Sequence, residues 1–251
     1  MSYLCAVTGK GGVGKTAVSA LLVRQLIKNS REPVLAIDAD PNSCLDSALG
    51  VAVSHTVGRA REEVREEAAD AARNGVSKQD LLQYKIAESL VEAENFDLIA
   101  MGRPEGAGCY CYANNVLKSV ITEIANEYPY VVLDNEAGLE NLSRRIVSSV
   151  DLLILVSDAS SAGLRTLIRL YELAVEMGIV YKKLLIIVNK LKNGAMPDNI
   201  SDIKAATSAA GVIGLPEDAS VAGFAENGRS LLELPDDNPV VMEIDEIVRS
   251  M

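Results

Sequence analysis

The feature that most restricts this chain is the stretch Gly9-Lys10-Gly11-Gly12-Val13-Gly14-Lys15-Thr16. It satisfies G-x-x-x-x-G-K-[ST] at every fixed position. The run before it, Tyr3 to Thr8, is short and apolar, as a buried strand is, and the run after it places Val18, Leu21, Leu22 and Leu26 at helical spacing. A glycine-rich turn between a strand and a helix directs backbone N–H groups inward, where they cradle phosphate oxygens. The helix N-terminus adds partial positive charge at the same point. Lys15 reaches the outer phosphates, and the Thr16 hydroxyl offers a ligand to Mg²⁺. The expected nucleotide contacts therefore run through Gly9, Lys10, Gly11, Gly12, Val13, Gly14, Lys15, Thr16 and Ala17.

Strand-like and helix-like patterns alternate along the rest of the chain. Further strands are expected at Pro33–Asp38, Phe96–Gly102, Tyr130–Asp134, Leu152–Ser157 and Lys183–Asn189. Helices are expected at Lys15–Asn29, through Thr56–Asn95, at Asn114–Glu127 and at Leu164–Met177, with a short acidic helix at Pro239–Ser250. This order implies one α/β P-loop NTPase domain over residues 1–251, with a mostly parallel central sheet flanked by helices on both faces. Hydrophobic residues make up 49% of the chain but aromatic residues only 4%, so the core must be built from Ala, Val, Ile and Leu. Such residues suit strands covered on both faces. Ligands of these sheets sit at the carboxyl ends of the strands, and the motifs here follow directly after strands.

Two of those strand ends carry acids. One reads Asp38-Ala39-Asp40-Pro41, where a carboxylate near a γ-phosphate could orient a water, although Asp-Pro-Asn-Ser also suits a helix start capped by Asp40. The other reads Val131-Val132-Leu133-Asp134, an apolar run ending in an acid that would hold Mg²⁺ through water, followed by Asn135-Glu136-Ala137-Gly138. A third strand ends in Asn189-Lys190-Leu191-Lys192. Guanine-reading loops carry N-K-x-D there, and a lysine cannot accept the guanine hydrogen bonds. ATP is favoured over GTP, with Asn189 expected to bond the adenine.

The charge balance excludes other partners. The chain has a net charge of −11, a poor match for nucleic acid or for an anionic membrane surface. No apolar run approaches the roughly 20 residues that span a bilayer. The first residues lead straight into the phosphate loop without a leader pattern, so the expected location is cytoplasmic, with no nucleic-acid and no membrane partner.

With Lys10 as a second lysine, the loop resembles the deviant Walker A motif of the MinD/ParA/nitrogenase-iron-protein class of ATPases. The resemblance implies that Lys10 crosses a dimer interface to the partner's nucleotide. It implies that Asp40 orients the attacking water and that Asp38 supports the Mg²⁺ shell. The implied catalytic set is Lys10, Lys15, Asp40 and Asp134. It further implies that a proline-containing loop, here Leu215-Pro216-Glu217-Asp218, flanks the base.

Of the four cysteines, Cys5 and Cys44 stand alone among small or apolar residues, whereas Cys109 and Cys111 form a C-x-C pair in Gly108-Cys109-Tyr110-Cys111-Tyr112. Two thiolates fill half of a tetrahedral metal shell, and a second copy of the chain supplies the other half. The segments Asp38–Leu45, Arg103–Cys111 and Asp134–Arg145 together resemble the CooC family, over nearly the whole chain. That family consists of nickel-handling ATPases that mature carbon monoxide dehydrogenase or its acetyl-CoA synthase partner. The resemblance implies a Mg-ATP-driven homodimer that binds Ni(II), or Zn(II) as a surrogate, through the two C-x-C pairs. Two alternatives stay open. One is an iron–sulfur electron-transfer ATPase, whose family places a cysteine just after the second switch, where this chain has Leu139, Glu140, Asn141 and Leu142. The other is a positioning ATPase of the MinD/ParA type, against which the acidic charge argues. His55 is expected to be an ordinary surface or core-edge histidine.

Overall fold

The computed structural model describes residues 2–103, 121–139 and 149–251. Eight strands form one sheet in the order β3-β4-β2-β5-β1-β6-β7-β8. They are β1 Tyr3–Gly9, β2 Val34–Asp38, β3 Leu90–Glu92, β4 Phe96–Ala100, β5 Tyr130–Ala137, β6 Val150–Asp158, β7 Tyr181–Leu191 and β8 Gly211–Pro216. All neighbours run parallel except β3, which turns back antiparallel on β4. The helices are α1 Lys15–Ser30, α2 Leu45–Leu49, α3 Val57–Arg73, α4 Lys78–Glu88, α5 Ser161–Glu176, α6 Ile200–Thr207, α7 Ala219–Glu226 and α8 Pro239–Arg249, with one further helical stretch at 121–126.

Period-two alternation along the strands divides the core into two layers. Val34 and Ala36 of β2, Val132 of β5 and Ile154 of β6 face a cluster built with α1, α2 and α8. Leu35, Ile37, Val131, Leu133 and Leu153 face the opposite cluster, built with α3, α4, the 121–126 stretch, α5 and α6. The same alternation puts Asp38 and Asp134 on the α1 side, each directly after an apolar run of its strand.

The sheet matches the expected fold, with local differences. The expected helix over Thr56–Asn95 is a hairpin of α3 and α4 followed by the edge strand β3. Ser77 ends the break by capping α4, its hydroxyl accepting from Asp80 N. Leu215 and Pro216, expected in a loop, are the last residues of β8. The acidic tail is an amphipathic helix, α8, which buries Val240, Val241, Ile244 and Ile247 and is capped by the Asn238 side chain, whose Oδ1 accepts from Val240 N. His55 stands against Glu63, with Nε2 and Oε1 at 2.8 Å, in an ion cluster completed by Lys85.

Candidate nucleotide site

The phosphate loop leaves the centre of the sheet between β5 and β6. A Cβ on Gly9 would stand 2.2 Å from the Val156 carbonyl oxygen of β6, so the strand exit requires glycine. Gly14 caps α1 in the left-handed conformation at φ +93°, and a Cβ there would meet Asn189 Nδ2 at 2.5 Å. The loop is held from the side by β7. Asn189 Nδ2 donates to the Val13 carbonyl at 2.8 Å, and Lys190 Nζ donates to the Gly12 carbonyl at 2.9 Å. The Asn189 Oδ1 accepts from Lys190 N at 2.8 Å. Both polar ends of this buried amide are thus engaged with backbone. The amide thus braces the loop and, having two N–H donors, keeps the capacity for the expected adenine bond.

The two loop lysines differ. Lys15 is 8% exposed and turns inward, its ammonium donating to the Lys10 carbonyl at 3.4 Å. Lys10 is exposed and forms no ion pair among the described residues.

Asp38 and Asp134 are register partners on the adjacent strands β2 and β5, and each is 1% exposed. Asp134 Oδ2 accepts from the Thr16 hydroxyl at 2.7 Å and Oδ1 from the Ser19 hydroxyl at 3.0 Å. Asp38 Oδ1 accepts from Asp40 N at 3.0 Å and Oδ2 from Leu45 N at 2.9 Å. Burial pushes the Asp134 carboxyl up to about 7, with the neighbouring Asp38 adding to it and the hydroxyls and Lys15 opposing it. Burial likewise raises Asp38 to about 6, against its backbone hydrogen bonds. Two buried carboxyls beside a hydroxyl form an oxygen donor set with too little positive charge around it, which suits a hard divalent cation. Asp134, Thr16 and, behind them, Asp38 are the residues that would hold Mg²⁺. Among the described residues no group of three or more His, Cys, Asp and Glu is placed to hold a metal ion.

Asp40 is half-buried at the mouth of the site. Its Oδ1 accepts from the Asn42 backbone at 2.8 Å and from Asn42 Nδ2 at 3.1 Å. It does not cap a helix, since α2 begins only at Leu45 and its cap position is Cys44. The left-handed Ser43, at φ +43°, intervenes. The other switch follows Asp134. Asn135 is buried with Nδ2 donating to the Val7 carbonyl at 3.2 Å, and its Oδ1 has no hydrogen-bond partner among the described residues. The Thr8 hydroxyl donates to the Gly138 carbonyl, where the chain turns at φ +114°. Cys109, Cys111 and the switch residues up to Arg145 beyond Leu139 lie outside the described residues.

Beside the loop lies a cavity of about 350 Å³, lined by Ala17, Leu21, Asn189, Leu215, Pro216 and Val221 among others. The structure thus brings Ala17, Leu215 and Pro216 together next to Gly14, as a largely apolar slot of the size that takes a planar base. Sequence reasoning missed Ser19, Lys190, Thr8 and the α7 wall. Ser19 was legible as the residue one helical turn after Thr16, whereas Val221 joins the site only through tertiary packing.

Residues 1–186 match the AAA domain family. The chain is 42% identical over 250 residues to an uncharacterized ATP-binding protein of Methanocaldococcus jannaschii, covering 99% of this chain and 98% of that protein. It is 31% identical over 246 residues to the carbon monoxide dehydrogenase accessory protein CooC of Rhodospirillum rubrum, covering 91% of this chain and 89% of that one. The septum site-determining protein MinD of Pyrococcus horikoshii, solved with Mg-ADP, superposes with a TM-score of 0.72 at 18% identity, covering 100% of this chain and 96% of the other.

Proposed function

Because the chain belongs to the AAA domain family of ATP-binding proteins with the MinD/ParA-type P-loop fold, we propose that it is a Mg-ATP-driven metallochaperone. In this reading two copies close on two nucleotides in the cytoplasm. Cys109 and Cys111 of both copies carry one Ni(II), or Zn(II) in its place, to carbon monoxide dehydrogenase or acetyl-CoA synthase.

The observation that carries the reading is the division between the two loop lysines. Lys15 is buried against its own loop, as a residue serving the bound phosphates in cis would be. Lys10 is held out at the rim with no counter-ion among the described residues, as a residue reserved for a second copy would be. The similarity to a carbon monoxide dehydrogenase accessory protein over 91% of the chain, joined with the C-x-C pair in the sequence, supports the metal half.

The chain's own groups divide the work. The loop N–H groups and Lys15 bind and orient the phosphates, and Asp40 accepts a hydrogen bond from the attacking water. Lys10 stabilises charge on the partner's phosphates. Mg²⁺, when bound, supplies electrostatic stabilisation of the phosphate oxygens. Loss of the γ-phosphate removes the contacts that hold the two copies together, which is the difference in affinity that a switch between two states requires.

An anaerobic nickel and zinc titration, with Mg-ATP or a non-hydrolysable analogue and with dimer mass tracked, tests the reading. One metal per dimer, lost in Cys109→Ser and in Cys111→Ser, is expected. Tight ATP binding with no cysteine-dependent metal would leave the ATPase and overturn the metallochaperone, putting a positioning role first.

A further inference from the structure

Helix α7 combines two properties that seldom go together. Of its eight residues only Ser220 and Glu226 carry polar side chains, yet none of the eight is buried among the described residues. A helix so apolar is normally enclosed. Its apolar sides meet different surroundings. Phe224 leans on the α1-side core without being buried by it, and the Arg229 guanidinium covers its ring at 4.0 Å. Ala222 and Ala225 instead line the cavity beside the phosphate loop, together with Ala17 and Leu21 of α1.

The attachment of α7 is one-sided. Glu217 N donates to the Leu191 carbonyl at 3.0 Å, so the chain is tied to β7 up to the residue before the cap. Asp218 Oδ1 then accepts from Ser220 N and Val221 N, each at 2.9 Å, and from Asn238 Nδ2 at 3.0 Å. Asn238 is 5% exposed and its own Oδ1 caps α8, so this anchor is fixed in the body of the molecule. At the other end Asn227, Gly228 and Arg229 are exposed. Eight residues are too few for a helix to persist in water on its own, and a glycine in the middle, Gly223, weakens it further. The order of α7 therefore depends on what packs against its cavity side.

We propose that α7 is a lid, hinged at Asp218, that is ordered by the nucleobase and not by the phosphates. The proposal rests on the reading of the cavity as the base slot and says what the slot does on binding. A planar base seated against Ala222 and Ala225 covers the apolar side that the core leaves open. The phosphates bind to the loop from Gly9 to Thr16, to which α7 contributes nothing. Ordering the lid draws on the binding free energy of the base, so the stability of α7 sets the affinity for nucleotides and leaves the affinity for a bare phosphate chain alone.

The test reads affinity and hydrogen–deuterium exchange with Mg-ADP and with Mg-tripolyphosphate, which offers phosphates without a base, in wild type and in Gly223→Ala. A Cβ on Gly223 meets no described atom within 4 Å, so alanine adds helix propensity without a clash. In wild type, Mg-ADP is expected to slow exchange in the phosphate loop and over residues 219–227, and tripolyphosphate to slow it in the phosphate loop alone. Gly223→Ala is expected to slow exchange over residues 219–227 without ligand. It is also expected to tighten Mg-ADP by up to about fivefold, with tripolyphosphate affinity unchanged. Slow exchange of α7 in ligand-free wild type overturns the lid, as does equal protection by tripolyphosphate or a Mg-ADP affinity that Gly223→Ala does not move. Mg-ADP that protects residues 213–217 at the end of β8 but leaves α7 fast overturns the lid and keeps the base slot. Mg-ADP that protects the phosphate loop but neither of those segments overturns the base slot, and the lid with it.

Discussion

Asp38, the last residue of β2, and Asp134 of β5 are the same residue at the same register, and are used differently. Asp134 is held by two hydroxyls of α1, a helix anchored in the core, whereas Asp38 is held by two backbone N–H groups of the switch that follows it. Hydroxyls rotate, so Asp134 can exchange them for a cation without moving the backbone. The N–H groups on Asp38 cannot be released so cheaply, because Leu45 is buried and its donor would be left without a partner. One acid is free for chemistry, and the other staples the switch to the sheet.

The comparison can be broken by substitution. The largest effect is expected from Asp134→Asn, which should lower steady-state ATP hydrolysis by about 10²- to 10³-fold by weakening Mg²⁺. At pH 7 and above its urea midpoint without nucleotide should lie above that of wild type, because the buried ionised carboxylate is gone. Asp38→Ala should do the reverse in stability, costing about 2–4 kcal/mol in urea unfolding as two donors lose their acceptor. Asp38→Asn, which keeps one acceptor oxygen, should recover roughly half of that. If Asp134→Asn and Asp38→Asn behave alike, the division of roles is wrong.

The pH dependence sharpens the same contrast. Burial defers ionisation in the folded protein to about 7 for Asp134 and about 6 for Asp38. The unfolded chain ionises these groups near 4, so it gives up protons first, and stability of the nucleotide-free protein should fall as pH rises from about 4 to about 7, then level off. Asp134→Asn should flatten the upper part of that fall. The thermal shift on adding Mg-ADP should be larger at about pH 8 than at about pH 5.5, because the cation no longer competes with protons. The smallest effect is expected from Asp40→Asn. It keeps an oxygen for the Asn42 turn at a half-buried site and should change stability by less than about 0.5 kcal/mol. A larger loss would mean that Asp40 also holds the switch together.

What the sequence made legible follows from how local each signal was. The loop from Gly9 to Thr16, and the acids at Asp38 and Asp134, are defined by neighbours along the chain, and the strand-then-acid pattern is enough to find them. β8 is hard to see in the sequence because Gly211 and Gly214 weaken a strand's pattern. Gly214 is there for a different reason, since a Cβ would stand 2.5 Å from the Leu191 side chain. The role of Asn189 was half legible. Its identity argued for a base contact, and only the packing of β7 against the loop shows that its amide also braces Val13.

The margins of the sheet bear on assembly. On one side the outermost strand is only three residues long and antiparallel, and on the other it contains two glycines and ends in a proline. Neither offers the long row of free backbone groups through which chains stack side by side into continuous ribbons. The edge strands are therefore poor templates for strand addition, and a dimer of the proposed kind would be built from side chains instead. An assembly made that way can come apart when its bound small molecule changes, and a ribbon could not.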